Sequence, residues 1–306
     1  MRALPAGPLF RRWLWCTLAA VAALGSLSRA QAPASTPAPQ DYAPPAVRHL
    51  TARTLREFPA PEAGQGVAAD RQHFYAVTNT RIAKYEIASG RRDAEWRGAR
   101  NGMIRHLNSC LADRGRLWCA NSNYSQTPMG SSIEVFDTAT LAHADSHSLG
   151  LLDEGSLTWF DRYGAGWMAG FAHYDETGGV PFKDHRFSSV VTYDADWRRT
   201  GGWLFPASVL ERMAPHAASG GAIGPDGYLY LLGHDRPEMY VVARPPMGPT
   251  LIHVATIDLE AEGQAFSWAQ DGSRTVFAID RPKKMVRLIE LPAVEPADPA
   301  VSLTFR

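Results

Sequence analysis

The sequence predicts an all-β fold, a single β-propeller. Three observations carry that prediction: one hairpin pattern recurs five times, helical periodicity is almost absent, and residues 47–306 form a stretch long enough for one large β domain.

Each recurring unit has small or polar residues, an apolar strand, a turn containing Asp, and a second strand with an aromatic residue. The turn aspartates are Asp70, Asp113, Asp161, Asp226 and Asp271, at spacings of 43, 48, 65 and 45. The aromatics are Tyr75, Trp118, Trp167, Tyr230 and Phe277. Asp-Gly at 226–227 and 271–272 and Arg114-Gly115 are strong hairpin turns. A third strand follows in each unit, over 82–87, 133–137, 190–194, 239–242 and 285–289. One such sheet cannot bury both of its faces, so units at this period stack around an axis until the ring closes. A β-sandwich does not require the same turn chemistry five times.

Five blades are read directly. The long third unit carries an insertion at 176–185 and a short helix at 207–213, and a sixth blade fits if 197–218 forms a degenerate one. The last unit lacks an outer strand, so either 50–58 or 301–305 closes the ring.

Ahead of the propeller lies a secretory pattern. Arg2, Arg11 and Arg12 precede an apolar run over 13–27, and Ala30-Gln31-Ala32 forms a small-x-small site, which predicts a signal peptide over 1–32 cleaved after Ala32. The run is short of the roughly 20 residues that span a bilayer, so no membrane association is expected after cleavage. Arg11-Arg12 leaves both the general and the twin-arginine export routes open. Residues 33–46 are rich in Pro and Ala and read as a mobile linker. The expected location is the periplasm or the medium.

Cleavage also changes the charge. The chain balances 31 basic against 31 acidic residues, and four arginines leave with the leader, so the mature chain is net negative. No basic block remains that suits a phosphate backbone, which argues against nucleic acid. Of three cysteines, Cys16 leaves with the leader. Cys110 and Cys119 are equidistant from the Arg114-Gly115 turn and fall opposite each other in a non-hydrogen-bonded pair, where Cα atoms lie about 4.5 Å apart. That predicts a disulfide in an oxidising compartment.

The propeller reading also places residues. In each blade, the residues before strand one and after strand two meet near the axis on one face. The entries are Gln65; His106 and Asn108; Glu154 and Ser156; Ser219; Glu262 and Gln264. The exits are Asn79; Asn121 and Asn123; His173 and Asp175; His234 and Asp235; Asp280 and Arg281. All are polar, whereas the opposite turns carry only Asp with Gly, Arg or Gln. Converging loops at one end of a propeller form the expected ligand rim. Asp235 and Asp280 also read as simple Asx-turn residues, and the histidines as satisfied turn residues.

There is no nucleophile elbow, no HExxH and no phosphate-binding glycine loop. Imidazole, carboxylate, amide and guanidinium remain. His106, His173 and His234 with Glu154 form a candidate divalent-metal set with an open position. Without metal, His173 or His234 serves as general base and Arg281 stabilises an oxyanion. Either scheme suits a hydrolase or lyase acting on a lactone or an anionic, sugar-like substrate. The alternatives are a non-catalytic propeller that binds a small molecule, a carbohydrate or a partner protein, and an assembly platform in the cell envelope.

Through Asp-Gly-x-Leu-Tyr at 226–230 and Gly-Gln-Ala-Phe at 263–266, the stretch 65–291 resembles exported bacterial β-propellers of the broad lactonase-like kind. The resemblance implies a site at the centre of one face and a bound divalent cation. It assigns no residue of this chain to a ligand set.

Overall fold

The computed structural model describes residues 45–175, 179–296, 298 and 300–306. The leader at 1–32 and the linker up to residue 44 lie outside the described residues. Strands β1 (Arg48–Thr51) and β2 (Arg53–Pro59) come first. Blade one is then β3 (Gly66–Ala69), β4 (His73–Thr78), β5 (Arg81–Glu86) and β6 (Arg92–Arg97). Blade two is β7 (His106–Asp113), β8 (Arg116–Ser122), β9 (Gly130–Asp137) and β10 (His143–Leu151). Blade three is β11 (Ser156–Tyr163), β12 (Gly166–Ala172), β13 (Ser189–Tyr193) and β14 (Arg199–Leu204). After helix α1 (Ala207–Met213), blade four is β15 (Gly220–Ile223), β16 (Leu229–Leu232), β17 (Glu238–Ala243) and β18 (Ile252–Asp258). Blade five is β19 (Ser267–Trp268), β20 (Thr275–Asp280) and β21 (Met285–Glu290), completed by β2.

The N-terminal strand therefore closes the ring, pairing antiparallel with β21 from Arg53↔Glu290 to Pro59↔Met285. Of the two candidates the sequence left open, 50–58 takes that place. β1 adds a fifth, parallel strand to blade four. The other candidate, 301–305, instead bridges Arg244 through Leu303 and buries Phe305 against Tyr163 and Trp203. No sixth blade forms: the stretch 197–218 supplies only β14 and α1. The helix is amphipathic and turns Val209, Leu210 and Met213 into the core between blades three and four.

Side chains alternate along each strand, and in a propeller both faces of a blade are covered by neighbours. β4 shows this residue by residue. Phe74 and Ala76 join the cluster shared with blade five, and Tyr75 and Val77 join the one shared with blade two. Each of the five blade interfaces has its own apolar cluster. At the closing interface Phe58 of β2 is 1% exposed and packs 4.9 Å from Phe74 and 6.4 Å from Phe277.

Cys110 and Cys119 pair across β7 and β8, with Cα atoms 4.0 Å apart, and form the disulfide. Among the described residues no helix is long and apolar enough to cross a membrane. His253 on β18 is buried beneath α1. Its Nδ1 lies 3.1 Å from Ser208 Oγ, and its Nε2 is 3.1 Å from both Ala255 O and Thr256 Oγ1. Burial pushes this imidazole down to about 4.

Three outcomes follow from this packing. Thiol titration of the unreduced mature protein is expected to find no free cysteine, and reduction of the short loop to cost about 2–3 kcal/mol in denaturant unfolding. Phe58→Ala, which opens the closing interface, should cost about 3–5 kcal/mol in the same assay. His253 is neutral when folded and has an ordinary pKa of about 6.5 when unfolded, so the unfolded chain binds more protons between pH 4 and 6.5. Its contribution is complete above that window and lost as pH falls through it. Comparing urea midpoints of the parent and His253→Gln across the window should isolate a loss of at most about 3 kcal/mol, present only in the parent.

Candidate functional site

The loops that enter the inner strands and leave the second strands converge at one end of the axis. Four blades bring chemistry there. His234 and Asp235 follow β16, His216 stands between α1 and β15, Tyr174 follows β12, and Arg281 follows β20. Blade two contributes His106 and Tyr124. Close packing beneath them depends on Gly263: a Cβ there would lie 2.4 Å from the His234 carbonyl carbon, so no other residue lets the blade-five entry approach the blade-four exit this closely.

Asp235 organises the cluster. Its Oδ2 accepts from His216 Nδ1 and its Oδ1 from His234 Nδ1, each at 2.6 Å. The two imidazoles stack with centroids 4.0 Å apart and 27° between planes. With its Nδ1–H on the carboxylate and its pKa lowered by burial, His234 keeps the lone pair of its Nε2. Arg281 Nη1 lies 3.4 Å from His234 Nε2, and Nη2 is 3.8 Å from Asp235 Oδ1. Tyr174 stands edge-on to His216 at 4.7 Å and to His234 at 5.8 Å, with its hydroxyl 3.4 Å from Ser219 Oγ. Tyr124 packs between Tyr174 (5.5 Å) and His106 (5.3 Å), extending the wall.

The titration behaviour follows from this packing. Burial lowers His234, the bond to Asp235 opposes it, and neighbouring His216 adds to the lowering. Burial acts to raise Asp235, but the two imidazole bonds outweigh it and the carboxyl stays below its usual range. Burial, with repulsion from His234, brings His106 down to about 4, and burial pushes the Tyr174 phenol up to about 12. At neutral pH the cluster thus holds an ionised carboxylate, a guanidinium and neutral imidazole at His234 and His106.

The other rim residues take different places. Gln65 Nε2 donates to Asn79 Oδ1 at 2.7 Å. Asn108 is buried and reaches Leu157 O at 3.4 Å, across to blade three. Gln264 is 1% exposed, has a φ of 77°, and its Nε2 has no partner among the described residues. Glu262 is half-buried beside it. Asp280 is an ion-pair partner of Arg287 (3.0 Å) and Lys283 (3.3 Å), and it accepts from the backbone of Lys283 as an Asx-turn residue does. Glu154 is drawn to Arg199 Nε at 3.2 Å. His173 is 2% exposed and lies against the backbone of Asp153 and Glu154; burial and then Lys183 lower its pKa.

The set His106, His173, His234 and Glu154 is not among the described groups whose ligating atoms converge within 4.8 Å. Among the described residues, two groups offer at least three ligating atoms within 4.8 Å of one another: His216, His234 and Asp235, and Asp175, Asp184 and His185. The second lies on the insertion of blade three, where Asp175 already accepts from His185 Nδ1 at 2.7 Å and Asp184 holds Arg186. Sequence reasoning missed His216, Tyr174 and Tyr124. His216 stands three residues before Ser219 in the same entry segment, and Tyr174 lies between His173 and Asp175, so position along the blade was the available signal.

No protein-family model matches this chain, and none of the curated proteins does. Among solved structures, the glutaminyl cyclase of Myxococcus xanthus superposes with a TM-score of 0.54 at 12% identity, covering 82% of this chain and 100% of that one. Hydrazine synthase of Kuenenia stuttgartiensis matches at a TM-score of 0.42 and 12% identity over 73% of this chain and 69% of that one, which is too distant to weigh. At such identities the likeness shows the fold alone: a five-bladed β-propeller, with a fold-level resemblance to the lactonase-like kind.

Proposed function

We propose that this chain is an exported propeller whose rim carries out general acid–base chemistry on a carbonyl substrate, as a hydrolase or lyase that needs no metal. The observation that carries the reading is a single carboxylate, Asp235, holding the Nδ1 atoms of two stacked imidazoles. A carboxylate behind an imidazole fixes its tautomer and stabilises the imidazolium formed when Nε2 takes a proton. Stacking at 4.0 Å opposes charging the second ring, so the pair accepts one proton at a time.

In this scheme a nucleophile, water or a group of the substrate itself, gives its proton to His216 Nε2. The carbonyl oxygen gains charge beside the Arg281 guanidinium, and the imidazolium returns its proton to the leaving group. Arg281 also argues against a cation at the cluster, because it places a positive charge 3.8 Å from the carboxylate. The disulfide fits an oxidising compartment and supports export. The glutaminyl cyclase of similar fold is an enzyme named for a reaction of glutaminyl groups, which makes a glutaminyl peptide a natural member of the test panel alongside lactones and aryl esters.

Turnover of that panel by the purified mature protein is the test. Asp235→Asn and His216→Ala should each lower kcat by about 10²–10⁴-fold, Arg281→Ala should lower kcat/KM, and a chelator should leave the rate unchanged. Activity lost to chelator and restored by a divalent ion would replace this reading with the metal one. Saturable binding of a panel member without turnover, weakened in the same variants, would make the rim a binding site.

A further inference from the structure

The opposite end of the ring holds a cavity of its own. Inner strands of blades two to five and the turns that follow them enclose about 400 Å³ at the axis. That volume suits a small organic ligand. Leu111, Phe160, Ile223, Phe266 and Trp268 make most of the wall apolar. Asp161 is a half-buried carboxylate within it, at the far end of β11 from the rim.

Asp161 accepts two backbone N–H groups, Ile223 at Oδ2 and Arg162 at Oδ1, each at 2.7 Å. Among the described residues it forms no contact ion pair, and Arg306 and Arg162 attract it only from a distance. The Arg162 guanidinium turns instead to Asp113 at 2.9 Å, and Arg306 at the mouth gives its Nη1 to Pro225 O at 3.0 Å. Burial pushes the Asp161 carboxyl up to about 6, so at neutral pH it is still ionised. A partly buried carboxylate whose counter-charges, Arg306 and Arg162, are not in contact with it is costly, and an apolar chamber beside it offers room for a closer partner.

We propose that this axial cavity is a second ligand site, which takes a small organic cation: a protonated amine carried on an apolar or aromatic body. The ammonium group bonds to the Asp161 carboxylate, and the body fills the chamber between Leu111, Phe160 and Phe266. The site is separate from the rim and does not depend on any reaction there.

Calorimetric titration of the mature chain at neutral pH with 2-phenylethylamine, and with 2-phenylethanol as its uncharged counterpart, tests the assignment. The amine should bind saturably and at least about tenfold more tightly than the alcohol, and Asp161→Asn should erase that preference. An Asn side chain still accepts the Ile223 N–H, so the fold should tolerate it. Leu111→Trp, which fills the chamber without touching Asp161, should abolish binding and serves as the second arm if Asp161→Asn does not fold. Equal binding of amine and alcohol, undiminished amine binding in either variant, or no saturation up to about 10 mM amine overturns the proposal.

Discussion

The closeness with which five inner strands meet at the axis governs the rest of the molecule. Neighbouring blades bond directly there: Ala265 N donates to Gln65 O at 3.2 Å, Val67 N to Ala265 O at 3.3 Å, and Thr158 Oγ1 to Ala218 O at 2.7 Å. At Gly220 a Cβ would lie 2.5 Å from Gln264 O, so blade four reaches blade five only because that side chain is missing. Such an axis packs the backbone of different blades against one another. It also shortens the span between loops of different blades, which is why Arg281 and Tyr174, from two other blades, both reach His234. Closure by β2 is part of the same constraint. Phe58 completes the interface that holds blade five, and with it Arg281, against blade one.

The rim cluster then follows from charge. One carboxylate and one guanidinium stand beside two imidazoles, and burial, with His216 stacked against it, lowers His234. A third imidazole, His106, is lowered by burial first and by repulsion from His234 second. On the reading proposed above, such a site accepts a proton during a reaction. The aromatic wall of Tyr124 and Tyr174 reduces the solvent that would otherwise screen these charges.

Much of this was legible in the sequence for one reason: turn chemistry repeats where blades repeat. Asp-Gly and Arg-Gly turns fix hairpin register, and register placed Cys110 opposite Cys119 and put His234, Asp235 and Arg281 on one end of the ring. What could not be read was where long side chains end. Glu154 enters at the rim, yet its carboxylate leaves the axis for Arg199 on an outer strand. Asp280 sits one residue from Arg281 but is consumed by Arg287. His216 was hidden because α1 interrupts the repeat just ahead of it, so no blade template extends to its position. The extra blade considered for 197–218 fails for a related physical reason: with Val209, Leu210 and Met213 on one helical face, that stretch buries its apolar groups without pairing strands.

The two ends of the ring differ less than the sequence suggests, and the five turn aspartates show why. In blades one and four the second-strand aromatic is tyrosine, and its hydroxyl donates to the turn aspartate of its own blade: Tyr75 to Asp70 and Tyr230 to Asp226, each at 2.6 Å. Those carboxylates fix a hairpin, and Asp226 also takes Arg274 of blade five at 2.9 Å. In blades two, three and five the aromatic is Trp118, Trp167 or Phe277, none of which has a hydroxyl to offer. Their aspartates are released to other partners. Asp113 takes Arg162 from the next blade, Asp271 caps the Ser273 N–H, and Asp161 turns to the axis and bonds the Ile223 N–H of blade four. Asp161 is thus the turn aspartate that both faces the axial chamber and lacks a side-chain partner. A substitution that looks like one aromatic for another in the repeat decides whether a carboxylate is held by a tyrosine of its own blade.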